Sequence, residues 1–391
     1  MLRKFYAFLK PITILGIVFF SLGASAIVPK PPSLAAKSYI LIDYDSGKII
    51  AEHNPDMLVA PASLTKMMTG YVVSHELESG NISADDVVTI SAKAYAQNPV
   101  FQGSSLMWLE VGKQVKVSEL LKGLIISSGN DAAVALAEHV AGSEAAFTEL
   151  MNHHAKQLGL SNTQFENAHG LSATTHKTTA RDMAILGKAL IRDFPDEYRL
   201  YKERSYTYNN IQTYNRHPLL TETTMLVDGI KTGHTEEAGY CLVSSALKGD
   251  MRLIAVVMGT NSNQARKVES KKLLSYGFRF FETVKPLDAG KVLHKPRIWM
   301  GEKEEIELGI SEDIYVTIPR GQAGALKAHF VVEKDLSAPI NSGQRAGKVF
   351  FALGEDIIAE YPLVALESIP EAGFFGRTAD SVSRWFDSLF E

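Results

Sequence analysis

Apolar positions change their spacing several times along this chain, and each change marks an element. Two short apolar runs at 39–43 and 48–53 flank Asp45-Ser46-Gly47, which predicts two strands joined by a turn. From Ser63 the spacing becomes helical: Leu64, Met67, Met68, Tyr71 and Val72 recur at three- and four-residue intervals, and Gly80 supplies a stop. Further helices are predicted over 118–126, 131–140, 144–158 and 179–193. Strands return at 240–247 and 251–258 around Lys248-Gly249-Asp250, and a helix over 264–283 follows. Strands at both ends with helices between them predict an α/β fold for 27–285, with one antiparallel sheet carrying a helical insertion.

The texture changes near Pro286. From 286 to 370, short apolar runs alternate with turns bearing Gly and Pro, which predicts a small all-β second domain. Residues 371–391 form an amphipathic pattern, with Phe375, Val382, Trp385, Phe386, Leu389 and Phe390 along one stripe and Arg377, Asp380, Arg384 and Asp387 elsewhere on the wheel. Four internal charges make a span too costly, so this helix is expected to lie in a membrane interface with its aromatic stripe buried. At the other end, Arg3, Lys4 and Lys10 precede an apolar run of about a dozen residues and the small-x-small site Ala24-Ser25-Ala26. Residues 1–26 are expected to be a cleaved signal peptide, because a membrane span needs about twenty apolar residues.

Composition narrows the function. The chain has 391 residues, 46% hydrophobic and 21% charged, with a formal net charge of −4. Losing the leader removes three basic residues and no acid, leaving −7, the wrong balance for a nucleic-acid binder. The lone Cys241 allows no intramolecular disulfide and reads as a small buried hydrophobe. No histidine pair has the His-Glu-x-x-His spacing, and no Gly-Lys pair has the upstream glycine of a P-loop, so neither a metal nor a nucleotide cofactor is expected.

Three short elements carry the candidate chemistry: Ser63-Leu64-Thr65-Lys66, Ser128-Gly129-Asn130 and Lys231-Thr232-Gly233. Chance alone supplies about one or two Ser-x-x-Lys matches in such a chain, and decoys stand at 245–248 and, for Ser-x-Asn, at 79–81. Position separates the chosen three from the decoys. Ser63 opens a helix, where unpaired N–H groups favour developing negative charge, and Lys66 returns to nearly the same face. A desolvated Lys66 beside other cations has a lowered pKa and can act as a neutral base toward the serine. Ser128-Gly129-Asn130 falls between two helices, where glycine allows a tight loop. Lys231-Thr232-Gly233 is expected just ahead of a strand pair, where an edge strand could pair with an extended peptide, Gly233 could admit it closely, and Lys231 could meet its carboxylate.

In that order the elements match those of the penicillin-recognising serine acyl transferases. Together with Pro61-Ala62-Ser63-Leu64-Thr65-Lys66-Met67-Met68, Asn215-Arg216, the stretch 227–235 and Ala238-Gly239-Tyr240, they make residues 34–391 resemble the low-molecular-mass penicillin-binding proteins that are D-alanyl-D-alanine carboxypeptidases. The resemblance implies removal of the terminal D-alanine from peptidoglycan pentapeptide stems through an acyl-serine, and acylation by β-lactams. It implies Ser63 as nucleophile, Lys66 as base, and Ser128 as proton relay to the leaving D-alanine. It gives Asn130 the acyl-side amide, Lys231 electrostatic stabilisation, and Thr232 and Arg216 the terminal carboxylate. The N–H groups of Ser63 and His234 would form the oxyanion hole. The location it implies is the periplasmic side of the cytoplasmic membrane, with peripheral attachment through the C-terminal helix.

A class A β-lactamase is the nearest rival, because it shares the acylation machinery and adds a glutamate for deacylation. Glu166 is the candidate, but its surroundings in 165–170 do not reproduce the class A motif, and a β-rich second domain is foreign to that class. An endopeptidase shares every motif and is separated only by substrate. A non-enzymatic wall-binding protein would lack the nucleophile or the base.

Overall fold

A computed structural model describes residues 28–378 apart from 334, together with Asp380. The leader 1–26 and most of the segment 371–391 lie outside the described residues. The first domain is built on a five-stranded antiparallel sheet of β1 (Ser38–Asp43), β2 (Ile49–His53), β3 (Leu226–Thr235), β4 (Gly239–Lys248) and β5 (Met251–Thr260), in the order β2-β1-β5-β4-β3. The first strands thus join the last through β1 and β5, and the helical segments lie between β2 and β3 in sequence.

Both faces of the sheet are buried. Ile40, Ile42, Val243, Ile254, Val256 and Met258 face a large core shared with the helices. Their neighbours Tyr39, Leu41, Leu242, Leu253, Ala255 and Val257 face a second core under the long helix α5 (Asn263–Phe280). Side chains alternate across a strand, so two covered faces require an almost continuous apolar run, as in 253–258.

The helices of the insertion are α1 (Thr65–Glu78), α2 (Asn130–Ala141), α3 (Glu144–Gln157) and α4 (Ala180–Asp193). Every residue of α1 from Thr65 to Ser74 is buried, so this part of the helix is enclosed nearly all round and runs through the middle of the core. Helices α3, α4 and α5 begin with Ser143, Thr179 and Ser262 accepting from the N–H groups of Ala146, Asp182 and Ala265. By contrast, α1 and α2 start without a side-chain cap.

Several expected boundaries shift. The helix expected over 264–283 stops at Phe280, because Phe281–Leu287 is a strand that pairs with Ile314–Pro319 of the second domain. The helix expected over 118–126 is α-helical only to Lys122 and then widens into a π turn, Gly123–Ser127. The element Lys231-Thr232-Gly233 lies inside edge strand β3 rather than ahead of a strand pair. Its buried polar residues Lys231 and Thr232 interrupt the apolar pattern that would have marked a strand. The hairpin of Ser205–Tyr208 and Ile211–Tyr214 was also hidden; its turn residues Asn209 and Asn210 both adopt positive φ, as a tight hairpin requires.

The second domain is all β. Its main sheet has five strands, with Leu326–Val332, Arg345–Leu353 and Asp356–Ala365 forming the long meander. Its own core includes Ile298, Ile306, Val316, Ile318, Val349, Phe351 and Leu363. Polar contacts tie it to the first domain: Thr283 Oγ1 donates to Asp43 Oδ2 (2.6 Å), and Lys48 Nζ donates to the Thr317 carbonyl (3.2 Å).

Candidate active site

Three elements meet at one cleft of about 140 Å³: the turn before α1, the loop before α2 and edge strand β3. Ser63 sits in a single 3-10 turn, Ala62–Leu64, whose Ala62 has a φ of 49°. Two glycines let other segments close on this turn. A Cβ on Gly170, where φ is 92°, would lie 1.9 Å from the Ala62 carbonyl oxygen. A Cβ on Gly233 would lie 3.0 Å from the Pro61 carbonyl oxygen and 3.1 Å from Leu64. The glycine of the Lys-Thr-Gly element therefore suits the close packing of β3 against the turn that carries Ser63, a contact not foreseen from sequence beside the expected substrate approach.

Lys66 is the second residue of α1, with only 1% of its surface exposed. Its Nζ donates to Asn130 Oδ1 (2.6 Å) and the His169 carbonyl (2.6 Å) and stands 3.3 Å from Ser63 Oγ. Burial first, and the charges of Lys231 and Arg216 second, hold its pKa well below the ordinary lysine value. Lys231, on β3 and 4% exposed, donates to Ser128 Oγ (2.9 Å) and the Thr232 carbonyl (3.3 Å). Burial, then Arg216 and Arg266, pull its pKa down to about 7.

The loop carrying Ser128 is held by a residue that sequence reading passed over. The π turn ends at Ser128 with a φ of 59°, which reverses the chain before α2. Asp131, fully buried in the first turn of α2, accepts from the N–H groups of Met107, Trp108, Leu109 and Ala132 at 2.8–3.1 Å. The Asn130 N–H donates to the Ser105 carbonyl (2.9 Å). One carboxylate thus fixes the segment 105–109 against the Ser128 loop, while in sequence Asp131 reads only as a favourable first-turn acid.

Arg216, Thr232 and His234 all line the same cleft. Arg216 is exposed. The His234 ring is exposed and packs against Tyr240, with centroids 4.0 Å apart. A second guanidinium, also unforeseen, comes from α5: buried Arg266 lines the cleft and donates to the carbonyls of Gly233 (3.0 Å) and Cys241 (3.3 Å). The sole signal for it is a basic residue one turn inside a helix start. Glu166 stands elsewhere, exposed, with its carboxylate accepting from Thr175 Oγ1 (2.6 Å). The decoys are also accounted for: Ser245 Oγ accepts from Arg252 (2.5 Å) within β4, and Ser79-Gly80 ends α1.

A serine beside a desolvated lysine, faced by a second lysine–serine pair across a cleft bordered by an edge strand, defines an active-site serine acyl transferase. The comparisons with known proteins narrow this class. Residues 25–262 match the Peptidase S11 model, described as D-alanyl-D-alanine carboxypeptidase, and 281–371 match the C-terminal domain of penicillin-binding protein 5. The chain is 49% identical over 371 residues to the D-alanyl-D-alanine carboxypeptidase DacA of Escherichia coli, spanning 94% of this chain and 92% of the relative. It is 50% identical over 365 residues to DacC of the same organism, spanning 92% and 91%. Penicillin-binding protein 5 from Haemophilus influenzae superposes with a TM-score of 0.85 at 46% identity, covering 88% of this chain and all of the other. The chain belongs to the D-alanyl-D-alanine carboxypeptidase family, a family of hydrolases, and carries its penicillin-binding-protein fold in both domains.

Proposed function

We propose that Ser63 attacks the carbonyl of a terminal D-alanyl-D-alanine bond in peptidoglycan pentapeptide stems and releases the last D-alanine through an acyl-serine. The observation that carries this reading is the pair of lysine–serine contacts facing each other across the cleft. Lys66 is the base. A neutral amine has two N–H donors, and the short bonds to Asn130 Oδ1 and the His169 carbonyl take both. The lone pair is then left for the Ser63 hydroxyl proton. Ser128, with its oxygen accepting from Lys231, keeps its own proton to pass toward the departing amine.

The substrate lies along β3 as an added strand, which suits an edge strand beside the nucleophile. Its terminal carboxylate meets Thr232 and Arg216, with Lys231 supplying further positive charge, and Asn130 holds the amide on the acyl side. The backbone N–H groups of Ser63 and His234 take the oxyanion, while the His234 ring, engaged with Tyr240, has no part in proton transfer. A β-lactam presents the same carbonyl with a tethered leaving group and acylates Ser63. Deacylation by Glu166 in the class A manner has no support, since that carboxylate is exposed and held by Thr175.

The protein acts outside the cytoplasmic membrane, after cleavage behind Ala26, with 371–391 lying on the outer face. Among the described residues no helix is long and apolar enough to span a bilayer. The helical start at 374–378 presents exposed Phe374 and Phe375, the latter 87% exposed, which favours interfacial burial. It stays joined to the second domain through Asp380, which accepts from Arg297 (3.1 Å) and the Met300 N–H (2.6 Å).

The test of the activity is D-alanine release from a peptide ending in D-alanyl-D-alanine. The chain should release it and the Ser63→Ala variant should not; release by both overturns the proposal. For attachment, the chain should pellet with membranes and a form ending at Pro370 should not. Identical fractionation of the two contradicts the anchor.

A further inference from the structure

We propose that the end of α1 remote from the nucleophile carries a divalent-metal site, suited to Zn²⁺, built from His75 and Glu76 of α1 and His154 of α3. One donor atom from each of the three lies within 4.8 Å of the others. Two imidazoles and a carboxylate are a donor set that zinc accepts, with a fourth position left for water.

His154 is the residue that asks for a ligand. It is 6% exposed, yet among the described residues neither ring nitrogen has a hydrogen-bond partner. Its ring contacts are edgewise ones with Tyr71 (5.7 Å between centroids), His75 (4.7 Å) and His153 (5.9 Å). A bound ion would give these nitrogens the partner that the surrounding side chains do not supply.

The other two ligands are ready on the solvent side. Glu76 Oε1 lies 3.2 Å from His75 Nδ1, while Glu76 Oε2 accepts from Asn81 Nδ2 (2.7 Å), an outer contact that fixes the carboxylate. Donors around a tetrahedral zinc at about 2.0–2.1 Å stand about 3.4 Å apart, so closure asks only for small rotations of His75 and Glu76. His75 is half exposed and leaves an entry path. His153 is exposed and is not among the residues whose donor atoms converge within 4.8 Å.

The site is separated from Ser63 by about 18 Å of helix at 1.5 Å per residue, too far for the metal to touch the reaction. Its effect is to staple α1, which carries Lys66, to α3. The histidines come from helices distant in sequence, so no spacing motif betrays them.

Calorimetric titration of the untagged full chain with ZnCl₂, together with thermal unfolding and the visible absorption of the Co²⁺ form, tests the proposal. One ion per chain, a raised Tm and tetrahedral Co²⁺ bands are expected. His75→Ala and Glu76→Gln should each weaken binding by about tenfold or more and remove the Tm rise. His153→Ala should bind as before, and all three should keep penicillin acylation, which also shows that they fold. Absence of binding, binding indifferent to His75→Ala, or binding lost in His153→Ala overturns the assignment.

Discussion

Lys66 Nζ stands 3.3 Å from Ser63 Oγ and 2.6 Å from each of two carbonyl-type acceptors, so the amine is held more tightly by its supports than by the nucleophile. In the proposed mechanism these two contacts hold the lysine in place as the base. Replacing it with alanine should lower the penicillin acylation rate by about 10²–10⁴, the usual contribution of a general base. Stopped-flow acylation measures this. A Lys66→Ala variant that acylates at the parent rate contradicts the role.

The reaction should have an alkaline limit if Lys231 serves the substrate carboxylate as proposed. Its pKa is drawn to about 7, so the free enzyme loses this positive charge as pH rises through that value. For a peptide ending in a free carboxylate, kcat/KM should therefore fall on the alkaline side. Lys231→Arg keeps the charge and should carry activity to higher pH, because a guanidinium does not deprotonate in that range. An amidated analogue should show little of the limb. The same limb in Lys231→Arg, or equal limbs for both substrates, contradicts the assignment.

Three buried histidines near the cleft set the acid limit of stability. Burial first, then nearby cations, depresses His169 and His217 to about 3; burial also depresses His176 to about 4. All three stay neutral in the fold but bind protons in the unfolded chain below about 6.5. Their folded pKa values lie below the unfolded one, so acidification favours unfolding. Stability should fall from about pH 6.5 toward 4, by about 1.4 kcal/mol per pH unit for each proton taken up on unfolding. Urea unfolding across this range measures the slope; a flat profile contradicts it.

Gly170→Ala tests the nucleophile turn. Its added Cβ would lie 1.9 Å from the Ala62 carbonyl oxygen, so the turn must move. Gly80→Ala is the control, with a similar positive φ of 71° and nothing within 4 Å of the added atom. The control should lose about 1–2 kcal/mol and keep full acylation. Gly170→Ala should lose more stability and most of its acylation. Equal effects would show that the close approach has no bearing on Ser63.

Removal of the second domain should be made at Phe280, where α5 ends, since Phe281–Leu287 pairs with Ile314–Pro319. A 27–280 form should still be acylated. Its Tm should be lower, because Phe281 is buried in the core under α5 and the Asp43–Thr283 contact is lost. A folded but inactive form would give the second domain a share in the site.

The parts of the site visible in the sequence are those whose chemistry and helical register coincide. Ser63, in the 3-10 turn that leads into α1, and Lys66, in the first turn of that buried helix, are three residues apart, so pattern and motif point to the same face. Lys231 and Thr232 obscured their own strand, because the site needs buried polar groups where a strand signal needs apolar ones. Asp131, Gly170 and Arg266 act through contacts with segments far off in the chain: the loop at 105–109, the Ala62 turn and the β3 carbonyl of Gly233. No local spacing encodes such contacts. The sheet was recovered in part: β4 and β5 form a hairpin of largely apolar strands, whereas β3, although it too is joined to β4 by a short connection, carries polar residues at buried positions.

The central claim is that Ser63 is the acylated residue. The most direct measurement is mass spectrometry of proteolytic fragments after incubation with a labelled penicillin, on the parent chain and on Ser63→Ala. One penicilloyl adduct on Ser63 is predicted in the parent, and none in a Ser63→Ala protein with an unchanged circular dichroism spectrum. An adduct on Ser128 or any other residue, or one that persists in Ser63→Ala, contradicts the account.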